Sequence, residues 1–166
     1  MIIMFILIII IEITILILTA FGNKETKIPV ARKTLLTKAE INFLQTLEKT
    51  IPENVRITCK CRMEDIMYAK KGNEYQKTRN RIKSRHVDFV VYDPQTGYTI
   101  VAIELDDKSH ENRQMQDNIK NIAMKSAGIP FFRQKVQKEY STEEIQRKIY
   151  EACNPPEAQP ASRKER

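Results

Sequence analysis

The sequence predicts an α/β domain carried behind one N-terminal transmembrane helix, and three observations predict it. Residues 1–22 are almost wholly apolar. Two neighbouring segments, HVDFVVYD and YTIVAIELDD, place apolar residues on both strand faces, as central strands covered on both sides do. Segments with helical spacing lie before and after them.

Length and charge bound the rest. A chain of 166 residues holds one domain plus extensions. The net charge of +7 favours an anionic partner, and nucleic acid, anionic lipid headgroups or a plain basic surface all fit that sign. Cys59, Cys61 and Cys153 are an odd number without framework spacing. They argue against a disulfide scaffold and against zinc, and a reducing compartment is the simpler inference.

At about 1.5 Å per residue, residues 1–22 are long enough to cross a hydrocarbon core of about 30 Å. A secretory signal is the rival. It would want a basic start and a small-x-small cleavage site; no Lys or Arg precedes Lys24, and LTAFG is a weak match. Glu12 is either a tolerated defect or the contact for a partner helix. Lys24, Lys27, Arg32 and Lys33 follow the apolar run, so the positive-inside rule puts the C-terminal side in the cytoplasm. The expected arrangement is a single-pass anchor in the cytoplasmic membrane (1–22), a basic linker (23–34), a domain (35–152) and a disordered tail (153–166).

Within the domain, LTKAEINFLQTLEKTIP predicts a helix buried along Leu36, Ile41, Phe43, Leu44 and Leu47, ending before Pro52. Thr37 and Glu40 have capping-box spacing. NVRITCKCR alternates as a strand, and MEDIMYA reads as a helical turn or an irregular crossover. Residues 70–85 hold seven Lys and Arg against one Glu, with the first half expected as loop. Such a run is usually a solvated face; because it leads into the acid-bearing strand, Lys77, Arg79, Arg81, Lys83 and Arg85 are candidate phosphate contacts. After His110 comes a helix buried along Met115, Ile119, Ile122 and Ala123, stopped by Gly128. A strand from Ile129 to Phe132 and a last helix with Ser141 and Glu144 at capping-box spacing complete the domain.

The region from His86 to His110 is read as a β-hairpin. A three-residue loop, Gln95–Thr96–Gly97, pairs residue 94 with 98 and sets Asp88 opposite Glu104, whereas a four-residue loop would turn Asp88 to the other face. Val87, Phe89, Val91, Val101, Ile103 and Leu105 then share one face, and His86, Val90, Ile100 and Ala102 share the acid face with Asp88, Glu104 and Asp106. Three acids on apolar strands repel one another unless a cation neutralises them, and carboxylate oxygens suit Mg²⁺ or Mn²⁺. Such an ion beside a basic segment suits phosphodiester cleavage, with His110 near enough in sequence to act as general acid or base. The bland reading makes Asp93, Asp106 and Asp107 strand-end acids and His110 a loop histidine; Asp88 and Glu104, set among apolar neighbours, resist it.

HVDFVV followed by AIELDDKSH, then Asp117 and GIPFFR, resembles the PD-(D/E)XK, or restriction-endonuclease-like, superfamily. It is similar within it to bacterial domains that share an ELD-x-x-SH pattern and to relatives of very-short-patch repair endonucleases. With LLTKAEINFLQTLEKTIP and CRMEDIM the likeness covers roughly residues 35 to 135. It implies a restriction-endonuclease-like mixed central sheet flanked by helices, and a Mg²⁺- or Mn²⁺-dependent nuclease acting on nucleic acid, DNA first. By position, Asp88 and Glu104 match the two metal-binding acids and Glu40 the helical acid, so capping and metal support compete for Glu40. Asp106 falls where the superfamily carries lysine, which makes Asp106 and His110 the expected replacements and Lys108 and Gln114 lesser helpers. No role attaches to Asp107. The other reading is a catalytically inactive nuclease-like fold that binds nucleic acid or a protein at the membrane.

Overall fold

The computed structural model describes residues 1–20, 28–106 and 114–155, and the chain divides into two units, Met1–Lys33 and Thr34–Arg166. The first is built on α1 (Ile2–Ala20), whose described side chains are exposed and whose Thr14 hydroxyl donates back to the Ile10 carbonyl at 2.7 Å. Its 19 residues rise about 28 Å, just short of a hydrocarbon core of about 30 Å. Among the described residues no helix is long and apolar enough to cross a membrane. Residues 21 and 22, which complete the expected span, lie outside the described residues, as do 156–166 of the expected tail.

The second unit begins with α2 (Lys38–Thr50). Its capping box forms as expected: the Glu40 amide donates to Thr37 Oγ1 at 3.3 Å, and the Thr37 amide donates to Glu40 Oε2 at 2.7 Å. The helix gives way to extended backbone at Ile51, before Pro52. There follow β1 (Arg56–Arg62), α3 (Met63–Ile66), α4 (Tyr75–Ile82), β2 (His86–Tyr92), β3 (Thr99–Asp106), α5 (Gln114–Ala127), β4 (Phe131–Lys135) and α6 (Thr142–Cys153). The strands form one mixed sheet in the order β1-β2-β3-β4. The first three are antiparallel neighbours, and α5 carries the chain to β4, parallel to β3.

Each sheet face has its own core. Phe43 and Leu47 of α2 and Ile145 of α6 pack on Phe89, Val91, Val101, Ile103 and Leu105. On the other face Met63, Ile82 and Met124 from α3, α4 and α5 cover Val87, Val90 and Ala102. The sheet is therefore central, as its two-sided apolar pattern requires.

The hairpin reaches the expected register by a different route. Its loop is the four-residue one: the Asp93 amide donates to Tyr98 O at 3.0 Å, and the Gly97 amide to Asp93 O at 2.8 Å. Gly97 takes φ 74°, which an L side chain resists. Asp93 braces the turn by accepting from the Gln95 amide at 2.7 Å and the Thr96 hydroxyl at 3.0 Å. Tyr92 pairs with Thr99 but Val91 with Val101, so Ile100 is an inserted bulge residue that cancels the one-residue shift. The ladder runs on to Phe89 paired with Ile103, the residues next to Asp88 and Glu104.

Other expectations are corrected. Ile100, freed from the pairing, packs against the α2/α6 core and does not share the acid face. Val87 joins the opposite core from Phe89 and Val91, because β1 and β2 change faces where Lys60 interrupts the ladder at φ 56°. The loop expected for the first half of residues 70–85 holds for 70–74 and gives way to α4 from Tyr75, earlier than expected. Along α5 Met124 is buried and Ile122 is 57% exposed, since α5 meets the sheet through its Met124 side; Met115 is outside the residues whose side chains are described. The last strand starts at Phe131, two residues later than expected. Ser141 caps α6, but Glu144 turns to Lys148 at 2.8 Å, leaving that capping box half formed.

Phe43 stacks against Phe89 at 5.2 Å and meets Tyr140 edge-on at 5.0 Å, joining α2, β2 and the segment before α6. Phe43→Ala should destabilise the domain by about 3–5 kcal/mol, measured by urea unfolding; a loss under about 1 kcal/mol would show this core not to be formed.

Candidate active site

Asp88 and Glu104 are each held on a central strand with 16% of the side chain exposed. Asp88 Oδ2 accepts the Leu105 amide at 2.9 Å, a bond across to β3 that fixes its carboxylate against the neighbouring strand. Asp88 Oδ1 accepts Lys60 Nζ at 2.8 Å, and the same ammonium donates to Glu40 Oε1. Glu104 Oε1 accepts Lys120 Nζ from α5, while Glu104 Oε2 is buried with no hydrogen-bond partner among the described residues. Asp106 Oδ1 is paired with Arg133 Nη1 of β4 at 2.6 Å, and the Arg133 guanidinium lies 5.7 Å from the Phe131 ring centre.

The structure thus gathers Glu40 with Asp88 through one lysine. It brings Glu104 beside Asp88 closely enough for their charges to interact. Asp106 is engaged by Arg133, a partner that accounts for it without catalysis. Glu40 divides its oxygens: Oε2 caps α2 and Oε1 holds Lys60. His110, Asp107 and Lys108 lie outside the described residues, and so do the side chains of Gln114 and Asp117.

Charge explains the three bases. Among the described residues, four acids, Glu40, Asp88, Glu104 and Asp106, face three bases, Lys60, Lys120 and Arg133. None of these cations was evident from spacing alone. Lys60 carried the clearest signal, as a mid-strand lysine between Cys59 and Cys61, and Lys120 lies on the α5 helix that follows the acids.

Burial and pairing push the acids in opposite directions. Burial raises Glu40, but the Lys60 hydrogen bond, the Thr37 amide and the Lys60 charge outweigh it, so its carboxyl ends below the ordinary value of 4.5. Burial raises Glu104 too, and here it wins: Lys120 pulls back, Asp88 pushes up again, and the outcome stays above 4.5. For Lys60, burial lowers the pKa, and hydrogen bonds to Asp88 and Glu40 more than restore it, leaving the ammonium firmly charged.

Among the described residues no group of three or more His, Cys, Asp or Glu is arranged to hold a metal ion by itself. The donor chemistry nevertheless fits a hard divalent ion in one respect. A buried carboxylate oxygen without a partner, on an acid whose neighbour is a second carboxylate, is what such an ion satisfies. Both Asp88 oxygens are already in use, so an ion could share this acid only by displacing or joining Lys60.

The candidate phosphate contacts lie on and just after α4. Lys77 pairs with Glu74 at 2.9 Å, Arg79 with Glu64 at 3.2 Å, and Arg85 donates to the Arg81 carbonyl. Arg81 and Lys83 are exposed and form no ion pair among the described residues. A shallow depression of about 310 Å³ lies elsewhere, at the α2–β1 junction between Glu48 and Ile57, and holds none of the candidate residues.

The two pKa directions make opposite predictions for stability. Glu40 is depressed in the folded chain, so its contribution is present above its unfolded value and lost as pH falls through the folded one. Glu104 is raised, so its contribution is present below its unfolded value and lost as pH rises through the folded one. In EDTA, Glu104→Gln should gain Tm over wild type by a few degrees near neutral pH and lose that advantage near about pH 4. Glu40→Gln should lose Tm at neutral pH. Thermal unfolding across pH checks both, and the same sign for the two variants would contradict the assignment.

No curated protein and no solved structure matches the chain. A family model does match, over residues 32–153, and its description is a protein of unknown function (DUF2726). That match takes in every described element of the second unit, from the capping box of α2 to the end of α6. The chain belongs to the DUF2726 family.

Proposed function

We propose that this protein is a divalent-metal-dependent nuclease hydrolysing phosphodiester bonds, with DNA as its first candidate substrate, on a fold of the PD-(D/E)XK kind. The observation that carries the reading is the buried Oε2 of Glu104 beside Asp88, without a partner among the described residues. These two acids would hold Mg²⁺ or Mn²⁺. The ion would supply Lewis-acid activation of water and neutralise charge on the phosphoryl group.

The chain's own residues do the rest. The Leu105 amide orients the Asp88 carboxylate, and Glu40 holds Lys60 next to it. Lys120 keeps Glu104 from swinging away by binding its other oxygen. Arg81 and Lys83, exposed and without ion pairs among the described residues, offer the phosphate backbone its electrostatic contacts, with Lys77, Arg79 and Arg85 alongside. His110 belongs to this reading as a candidate acid or base, carried over from the sequence.

The anchor is part of the same proposal: residues 1–22 hold the domain at the cytoplasmic membrane, with the C-terminal side in the cytoplasm. The apolar run and the lysines and arginines after it support this. One observation favours a second reading, a nuclease-like fold that binds nucleic acid or a protein without cutting: the acids are already neutralised by lysines and an arginine, as in a resting ion-pair network.

Cleavage decides between them. The full chain in detergent, given DNA or RNA and Mg²⁺ or Mn²⁺, should cut, and Asp88→Asn or Glu104→Gln should reduce the rate at least about 100-fold. Cutting unchanged by both substitutions, or absent throughout while binding persists, would leave the binding reading in place of the enzyme. On fractionation, the full chain should sediment with membranes, and a chain beginning at Asn23 should not.

A further inference from the structure

Lys60 departs from its surroundings in three linked ways. Its backbone sits at φ 56° inside a strand, in the left-handed region that long side chains rarely adopt. The β1–β2 ladder pairs Cys59 with Phe89 and Cys61 with Val87, and passes over Lys60. That conformation delivers one ammonium to two carboxylates from different elements, Glu40 on α2 and Asp88 on β2. Backbone strain of this sort persists only where the surroundings hold it, and it gathers at functional sites.

The allocation of oxygens says what the ammonium does. Asp88 gives Oδ1 to Lys60, at 2.8 Å, and Oδ2 to the Leu105 amide, at 2.9 Å. Glu104 gives Oε1 to Lys120 and keeps Oε2 buried without a partner among the described residues. One acid of the pair therefore has an oxygen waiting for a cation, and the other has lent its own to a cation of the chain. An ammonium and a divalent ion that compete for one carboxylate repel each other strongly at such range.

Resting on the reading of Asp88 and Glu104 as the metal-holding pair, we infer that Lys60 is a built-in placeholder for the divalent ion. In the metal-free chain its ammonium neutralises Asp88, and metal binding is an exchange of that ammonium for the ion. Glu40 keeps hold of the released ammonium, so a positive charge remains beside the centre after the exchange. The bond lost is Lys60 to Asp88; the bond kept is Lys60 to Glu40.

The test is a Mn²⁺ titration of the full chain in detergent, with free ion read by electron paramagnetic resonance and specific binding taken as the part that Glu104→Gln removes. Lys60→Gly and Lys60→Asn delete the ammonium while suiting the positive φ, so the strand keeps its path. Lys60→Arg keeps the charge. The Gly and Asn variants should bind Mn²⁺ at least about tenfold more tightly than wild type, and Lys60→Arg should stay near it. Their Tm in EDTA should fall, and the rise in Tm on adding Mn²⁺ should exceed that of wild type. If wild type binds Mn²⁺ and the Gly and Asn variants bind no more tightly, the placeholder is overturned and the metal pair stands. If none of the four proteins shows specific binding, the metal pair itself falls and the placeholder with it.

Discussion

The Lys60 ammonium is shared between Glu40, in the first turn of α2, and Asp88, on the second strand of the sheet, while Asp88 accepts the amide of Leu105 on the third. One side chain thus ties a helix terminus to two strands, at the point where β1 and β2 exchange the cores they face. Half-buried ion pairs contribute little net stability, because desolvation offsets most of the Coulomb attraction. The constraint they answer here is neutralisation. Asp88, Glu104 and Asp106 on the strands and Glu40 on α2 sit close to apolar surroundings, and three bases from β1, α5 and β4 converge on them. The register of the sheet is what brings one of these pairs together. Arg133 reaches Asp106 because β4 lies parallel to β3 in the register that pairs Glu104 with Arg133 and Asp106 with Lys135.

Most of the fold was legible, because it is written in local patterns. The Thr37–Glu40 box announces α2, the two-sided apolar strands announce a covered sheet, and Gly128 at φ 68° ends α5. The hairpin shows where such reading stops. A three-residue loop and a four-residue loop with a compensating bulge give the same facing of Asp88 and Glu104, and no residue between Asp93 and Ile100 tells them apart. The acids were legible for the same reason, as charges in places where apolar residues belong. Their partners were not. A lysine in a strand is unremarkable until its φ is known, and pairing between Lys120 and Glu104 is set by how α5 lies on the sheet, which no spacing along the chain encodes.

Electrostatics then separates two tasks that a nucleic-acid-cutting protein must combine. Outside, the chain is basic, with a net charge of +7, and exposed Arg81 and Lys83 on and after α4 can draw in a phosphate backbone without help. Inside, four acids meet three paired bases among the described residues, and under the proposed reading an anionic diester brought to Asp88 and Glu104 would meet carboxylates. Attraction and access therefore have different requirements. Under the proposed reading, the outer surface would hold nucleic acid whether or not an ion is bound, whereas the centre would admit a phosphate only with a cation there to offset its carboxylates. On the same proposed reading, a protein built this way would bind its substrate class by its surface and reserve chemistry for the metal-loaded state, with Lys60 keeping the acids in order until then.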